Sequence, residues 1–321
     1  MMDRRRLILS ACSSLVTASL TARAQKPAQV RHIGVLSPGP AAGVEFQDVL
    51  DFMQALGWLE GKNISVESRS AGANLALLRP MADELAVLNV DVIVTYGTDA
   101  AIAAKGATKR IPIVMASAGD PVGTGLVASL AQPGGNITGY SVVYPEIAAK
   151  RAALLHEMLP TARRVCVLIN PIVSKRVREV TESVYRSLGL QPFSIEVASE
   201  PQFQQALVSA ARMHAEMLDI ALALPLTHAL MSEVIRNRLP AMVADREFVE
   251  AGGLVSFAPR LAEGNRRVAA IIDKILRGAK PSDLPIEQPT QFELVINLKT
   301  AKALNIMVPQ ALILRADEVI R

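Results

Sequence analysis

From residue 33 to residue 244, short β-branched runs alternate with segments long enough for a helix, and this alternation constrains the fold more than any other feature of the chain. Two parallel strands can be joined only by a crossover of a dozen or more residues, which a helix supplies. In the first half the predicted strands are 33–36, 64–67, 90–95, 111–115 and 138–143, with helices at 45–56, 75–87 and 98–107. Phe46, Val49, Leu50 and Met53 fall on one face of the first helix. The run at 90–95 is apolar enough to be buried on both sides. In the second half strands are predicted at 165–169, 193–197, 220–224 and 241–244, and helices at 174–188, 202–215 and 229–238.

The halves echo each other. Ile33 aligns with Val165 at an offset of 132, Ile64 with Ser194 at 130, Asp91 with Asp219 and Ile111 with Leu239 at 128. Leu56-Gly57-Trp58 answers Leu188-Gly189-Leu190, and Arg110-Ile111-Pro112 answers Arg238-Leu239-Pro240. A near-constant offset over four elements predicts two similarly built α/β lobes in tandem. In open parallel sheets ligands bind beyond the carboxyl ends of the strands. Facing lobes therefore share one cleft, lined by the loops at Ser37, Gly97, Ser117, Asn170, Pro225 and Asp245.

The amino terminus reads as an export signal: Arg4 to Arg6, an apolar and small-residue stretch to Leu20, and Ala22-Arg23-Ala24 as the cleavage site. The mature chain then begins at Gln25. The alternative is acylation at Cys12 within Leu9-Ser10-Ala11-Cys12. Four of the 34 basic and one of the 30 acidic side chains lie in the first 24 residues, which leaves a net charge of +1 in the rest. That balance argues against nucleic acid as a partner, since affinity for phosphate backbones comes from clustered Lys and Arg. No later segment reaches the length of a membrane span. Cys166 lies in an apolar run and reads as a buried structural thiol.

Catalytic and cofactor signatures fail on context. His32, His156, His214 and His228 make no HExxH and no pair at metal-ligand spacing, so no metal is expected. GxSxG, CxxC and GxxxxGK[ST] are absent. Residues 123–128 satisfy GxGxx[GA], but the preceding strand ends too early for a tight strand-to-helix turn, so no dinucleotide cofactor is expected. Gly97-Thr98-Asp99 is more informative. Free amides at a helix start, with the Thr hydroxyl, suit a carboxylate; the alternative is that Thr98 or Asp99 simply caps the helix. Gly119-Asp120-Pro121 and Asp245 read the same two ways, as holders of a ligand ammonium or as turn caps. Trp58, at a helix exit, reads as a packing residue.

The runs 56–69, 90–105, 111–141, 248–257 and 273–306 resemble the ABC transporter substrate-binding protein family that includes tryptophan- and tyrosine-binding members. The resemblance spans essentially the whole mature chain. It implies a type I periplasmic-binding-protein fold: two Rossmann-like, doubly wound parallel-sheet lobes joined by a multi-strand hinge, with crossings near Ser141, Ser256 and Phe292. The expected partition is 30–141 with 256–291 and 142–255 with 292–321. It implies no catalysis and no cofactor, a periplasmic location, a small polar ligand such as an amino acid, and as partners a membrane permease powered by a separate ATPase subunit. Gly97 and Thr98 then meet the ligand carboxylate, Ser117 and Asp120 belong to the first lobe's wall, and Gly119 and Ser141 are further ligand contacts. Asn170 lies in the second lobe's first loop, with Pro225 and Asp245 beyond it. The chain departs from the family pattern in being shorter between Pro225 and Leu239, and in carrying Phe257-Ala258 where Tyr-Gly is common. The competing readings are an exported two-lobed enzyme with Asp120 and Asp245 as its acid–base pair, and a sensory module for a receptor.

Overall fold

The structure is a computed structural model and describes residues 30–39, 42–142, 144–171, 173, 175–222, 228–244 and 246–321. The export signal with Cys12 and Gln25, and the site candidates Pro225 and Asp245, lie outside the described residues. Among those described, the strands form two sheets. The first contains β1 (Arg31–Ser37), β2 (Ile64–Ser70), β3 (Val92–Tyr96), β4 (Ile113–Ala118) and β5 (Ile137–Ser141), all parallel, in the order β2-β1-β3-β4-β5. The second contains β6 (Arg164–Ile169), β7 (Gln191–Glu196), β8 (Met217–Leu222), β9 (Ala241–Val243), β10 (Val255–Pro259), β11 (Phe292–Asn297) and β12 (Glu318–Ile320). Its order, β7-β6-β8-β9-β10-β11-β12, repeats the first sheet and adds two strands. The added β11 runs antiparallel to β10, so this sheet is mixed where an all-parallel one was expected.

Each sheet is covered on both faces, which is why its central strands, such as β3 and β6, read as continuous apolar runs, while the edge strands β2 and β7 are more polar and partly exposed. Along β3, Val92 and Val94 point to one face and Ile93 to the other. The helices Leu78–Val87 and Thr98–Ala107 cover the Ile93 face; Ala42–Ala55 and Leu261–Leu276 cover the opposite one. Trp58 fastens that second layer, its indole N–H donating to Asp273 at 2.8 Å while the Arg277 guanidinium lies over the ring. In the second sheet Tyr144–Met158 and Lys175–Ser187 cover one face, Glu200–Arg212 and His228–Arg236 the other.

The strand orders match, but the residue equivalences read from the constant offset slip. Ile33 pairs with Val92 and Val165 with Met217, so matching Ile33 to Val165 sets Val92 against Met217 and not Asp91 against Asp219. The environments differ accordingly. Asp91 stands at the entrance to β3, accepting from Arg31 at 2.7 Å and from the His32 N–H at 2.8 Å, whereas Asp219 is buried in mid-strand. The offset records the summed lengths of helices and turns, which absorb insertions that strand register does not.

The chain passes between the two layered units three times. After Ser141 it leaves β5 for the helix Tyr144–Met158. Residues 256–259 complete β10 of the second sheet, and Arg260 then leads into helix Leu261–Leu276, which packs on the first. Glu287 runs beside β5, donating its N–H to Gly139 and accepting from the Ser141 N–H, before Phe292 opens β11.

Candidate functional site

The carboxyl ends of β3, β4 and β5 are irregular, and the irregularity shapes the site. Register shifts fall between Thr95 and Tyr96 and between Met115 and Ala118, and such bulges re-aim the side chains beside them. β5 lies close on β4 because residue 139 is glycine. Its φ is +140°, and a Cβ there would stand 2.3 Å from the Met115 carbonyl oxygen. The next residue, Tyr140, fits because residue 264 is also glycine, where a Cβ would meet Cε1 of the Tyr140 ring at 3.1 Å.

These strand ends face a cavity of about 320 Å³ whose walls come from both sheets. Tyr96, Ser117 and Tyr140 contribute from the first; Arg151, Thr181 and Asp219 from the second and its helices; Phe257 to Leu261 run along the side where the chain crosses. Most of the remaining surface is apolar, including Val142, Ile147 and Pro259. Phe257 is held by stacking on Phe292, with ring centroids 5.3 Å apart and planes 3° from parallel.

Behind this surface lies a buried charge network. Arg151 sits on the inward face of its helix with Ile147, Ala148, Ala152 and Leu155, and is 3% exposed. Its guanidinium donates to the Val243 and Phe257 carbonyls, each at 3.1 Å, and to Asp219. The second Asp219 oxygen accepts from the Tyr185 hydroxyl at 2.5 Å. Burial, and then the Asp219 charge, push the Tyr185 phenol well above its ordinary range, which keeps it a donor. The network ties β8, β9 and β10 to two helices. Deleting either ionic partner leaves the other charge buried, a loss of about 3–5 kcal/mol.

On the crossing side Glu263, also buried, accepts from Arg267, from the Thr290 hydroxyl at 2.6 Å and from the Gln291 N–H. The Thr290 bond leads in holding its carboxyl below the usual range. Arg267 also reaches Glu287 at 2.8 Å, so one ion cluster clasps the helix Leu261–Leu276 to the returning segment before β11.

The eight described residues that sequence offered as ligand contacts all come from the strand ends and following loops, yet only Ser117 lines the cavity. Three hydroxyls serve the backbone. Ser37 accepts from the Gly39 N–H at 3.1 Å, Thr98 from the Gly119 N–H at 3.1 Å, and Ser141 donates to the Ala118 carbonyl at 2.9 Å. Thr98 is not a cap. The N-cap is Gly97, at a φ of +76°, and its N–H donates to the Ser117 carbonyl at 2.8 Å. Asp120 accepts from the Gly123 N–H at 2.8 Å, closing the turn that opens the GxG stretch. That stretch is a series of turns with no helix after it, which removes the geometry a dinucleotide needs. Asn170 follows β6 and is buried.

Sequence reasoning missed Tyr140, Arg151 and Asp219. A signal existed for the last two, namely one cation on an otherwise apolar helix face and one carboxylate inside an apolar strand. Cys166 is buried in β6, and burial pushes its thiol up to about 12, so it stays protonated and poorly nucleophilic.

Two doubly wound α/β sheets of repeated order, linked by several crossings and enclosing a mostly apolar cavity between them, define a bilobed type I periplasmic-binding-protein fold. The chain belongs to the ABC transporter substrate binding protein family, whose model matches residues 32–320. It is 26% identical over 265 residues to a tyrosine-binding protein of Clostridioides difficile, covering 79% of this chain and 75% of that one. A conserved domain protein of Vibrio cholerae superposes with a TM-score of 0.76 at 26% identity, over 91% of this chain and 99% of the other. A Streptococcus pneumonia domain solved with L-Trp superposes with a TM-score of 0.75 at 24% identity, over 91% and 100%. No helix among the described residues is long and apolar enough to cross a membrane.

Proposed function

We propose that this protein is the periplasmic solute-binding component of an ABC importer, taking a small organic solute, an amino acid with an aromatic or branched apolar body, into the interlobe cavity and delivering it to a permease driven by a separate ATPase. The observation that carries this reading is that Ser117 and Tyr140 from the first sheet line the same cavity as Arg151 and Thr181 from the second. A solute touching both walls favours the closed arrangement, because only there are all its contacts made at once; the population shifts by the difference in affinity. The permease reads that closed form. We assign lobe 1 to residues 30–141 with 260–291 and lobe 2 to 142–259 with 292–321; the boundary expected at 256 moves to 260 because residues 256–259 complete β10 of the second sheet.

The names of the relatives support an aromatic amino acid as first choice. The apolar lining fits such a body. Calorimetric titration of the chain beginning at Gln25 with the twenty amino acids and a set of aromatic carboxylates tests the reading. It predicts saturable one-to-one binding of at least one of them; no binding by any contradicts it.

A further inference from the structure

Strand register gives one wall of the cavity an uneven shape. On β10, Phe257 stands opposite Leu294 of β11 and diagonally beside Phe292, whose ring lies parallel to its own at a centroid distance of 5.3 Å. Large side chains therefore cover that side of Phe257. Its other side faces β9, which runs parallel to β10 with Met242 level with Val255 and Val243 level with Ser256. One step further the same register sets Ala244 beside Phe257. Side chains two apart along a strand share a face, so both stand on the face where Met242 and Val255 pack against the helix Tyr144–Met158. Both also line the cavity, and Phe257 is only partly buried. Adjacent strands lie about 4.8 Å apart, which spaces one side chain against the next. Ala244 fills its place in that row with a methyl group alone, which leaves room for one more flat group against Phe257.

We propose that this place, above the Ala244 methyl and against the side of Phe257 turned away from Phe292, seats a flat aromatic ring of the solute. The inference rests on the solute-binding reading and deepens it: it selects an aromatic body over a branched aliphatic one and names the two residues that make the choice. A ring seated there repeats on one face of Phe257 the stack that Phe292 makes on the other. Offset stacking adds stabilisation beyond the area buried, which a saturated ring or a branched chain of similar size does not gain. Leu294 and Phe292 brace Phe257 from behind, so its ring needs little further ordering when the solute arrives. Ala244 acts by size. A longer side chain at this position would itself occupy the seat.

The test compares probes that share a ring size and a polar end and differ in flatness: L-phenylalanine with L-cyclohexylalanine, and benzoate with cyclohexanecarboxylate. Calorimetry is run on the chain beginning at Gln25 and on its Phe257→Leu and Ala244→Leu variants, each checked by its thermal unfolding midpoint. The proposal predicts that in at least one pair the flat member binds the wild type about three- to tenfold tighter than its saturated partner. Phe257→Leu brings that ratio close to one. Both members are measured on the same variant, so stability lost with the Phe292 stack does not enter the ratio. Ala244→Leu weakens the flat member about tenfold or more by overfilling the seat, while the unfolding midpoint stays near that of the wild type because the added atoms enter a cavity. A saturated member binding as tightly as its flat partner, a ratio that survives Phe257→Leu, or Ala244→Leu binding like the wild type overturns the proposal and leaves the solute-binding reading standing. If neither pair binds, the wider panel decides: a ring-bearing ligand found there must lose affinity in Ala244→Leu, and ligands that all lack an aromatic ring overturn the proposal. If nothing binds the wild type, the solute-binding reading falls first and this inference with it.

Discussion

Single residues carry most of what the sequence did not disclose. The hydroxyls at Ser37, Thr98 and Ser141 stood where a ligand would want them, but the turns at the strand ends need the same groups for their own N–H and C=O atoms. Loop composition could not separate the two uses, since both favour Ser and Thr after a strand. Arg151 and Asp219 were legible in principle as opposite charges on apolar elements, but their pairing is long-range and no local spacing announces it. The buried phenols give this scale its prediction. Tyr140 and Tyr185 both titrate above the ordinary value of 10.0, mainly because burial disfavours the phenolate. Above about pH 10 the unfolded chain has lost protons that the native state retains, so stability present below that pH falls as the pH rises toward 12. Urea unfolding between pH 8 and 12, followed by phenolate absorbance, should show these two phenols ionising only as the protein unfolds, and Tyr140→Phe should flatten the loss. Titration of both near pH 10 in the folded state would contradict this account of their burial.

At the scale of elements the alternation of strand and helix was readable because sheets covered on both faces leave uninterrupted apolar runs, as in β3 and β6. Elements whose identity depends on distant partners were harder. β11 and β12 follow the last helix-strand unit and extend the second sheet beyond β10, with β11 antiparallel, and nothing local in Phe292 to Asn297 dictates direction. The bulges in β3 and β4 were likewise invisible, as they arise from how neighbouring strands settle. Gly139 is the point at which an element's geometry and the site meet. Gly139→Ala sets a Cβ against the Met115 backbone at a φ of +140°, so it should destabilise the protein by about 3 kcal/mol or more and disturb Tyr140 beside it. A chemical denaturation curve superimposable on that of the wild type would show that the β4–β5 approach is less tight than described.

For the whole molecule, the tandem plan was visible in the sequence as an offset and emerges as a repeated strand order, though the residues matched by that offset are not structural counterparts. The linking segments were placed by resemblance. Their physical character becomes clear in the ion cluster of Glu263, Arg267 and Glu287, which binds a helix of one layer to the chain returning to the other. In the proposed solute-binding reading these few crossings are the positions about which the two sheets, each moving as a unit, would turn. Small-angle X-ray scattering of the chain beginning at Gln25, with and without a solute already shown by calorimetry to saturate it, addresses the central claim most directly. The account predicts a smaller radius of gyration in the saturated sample as the two units close on the solute; superimposable profiles at saturation would contradict it.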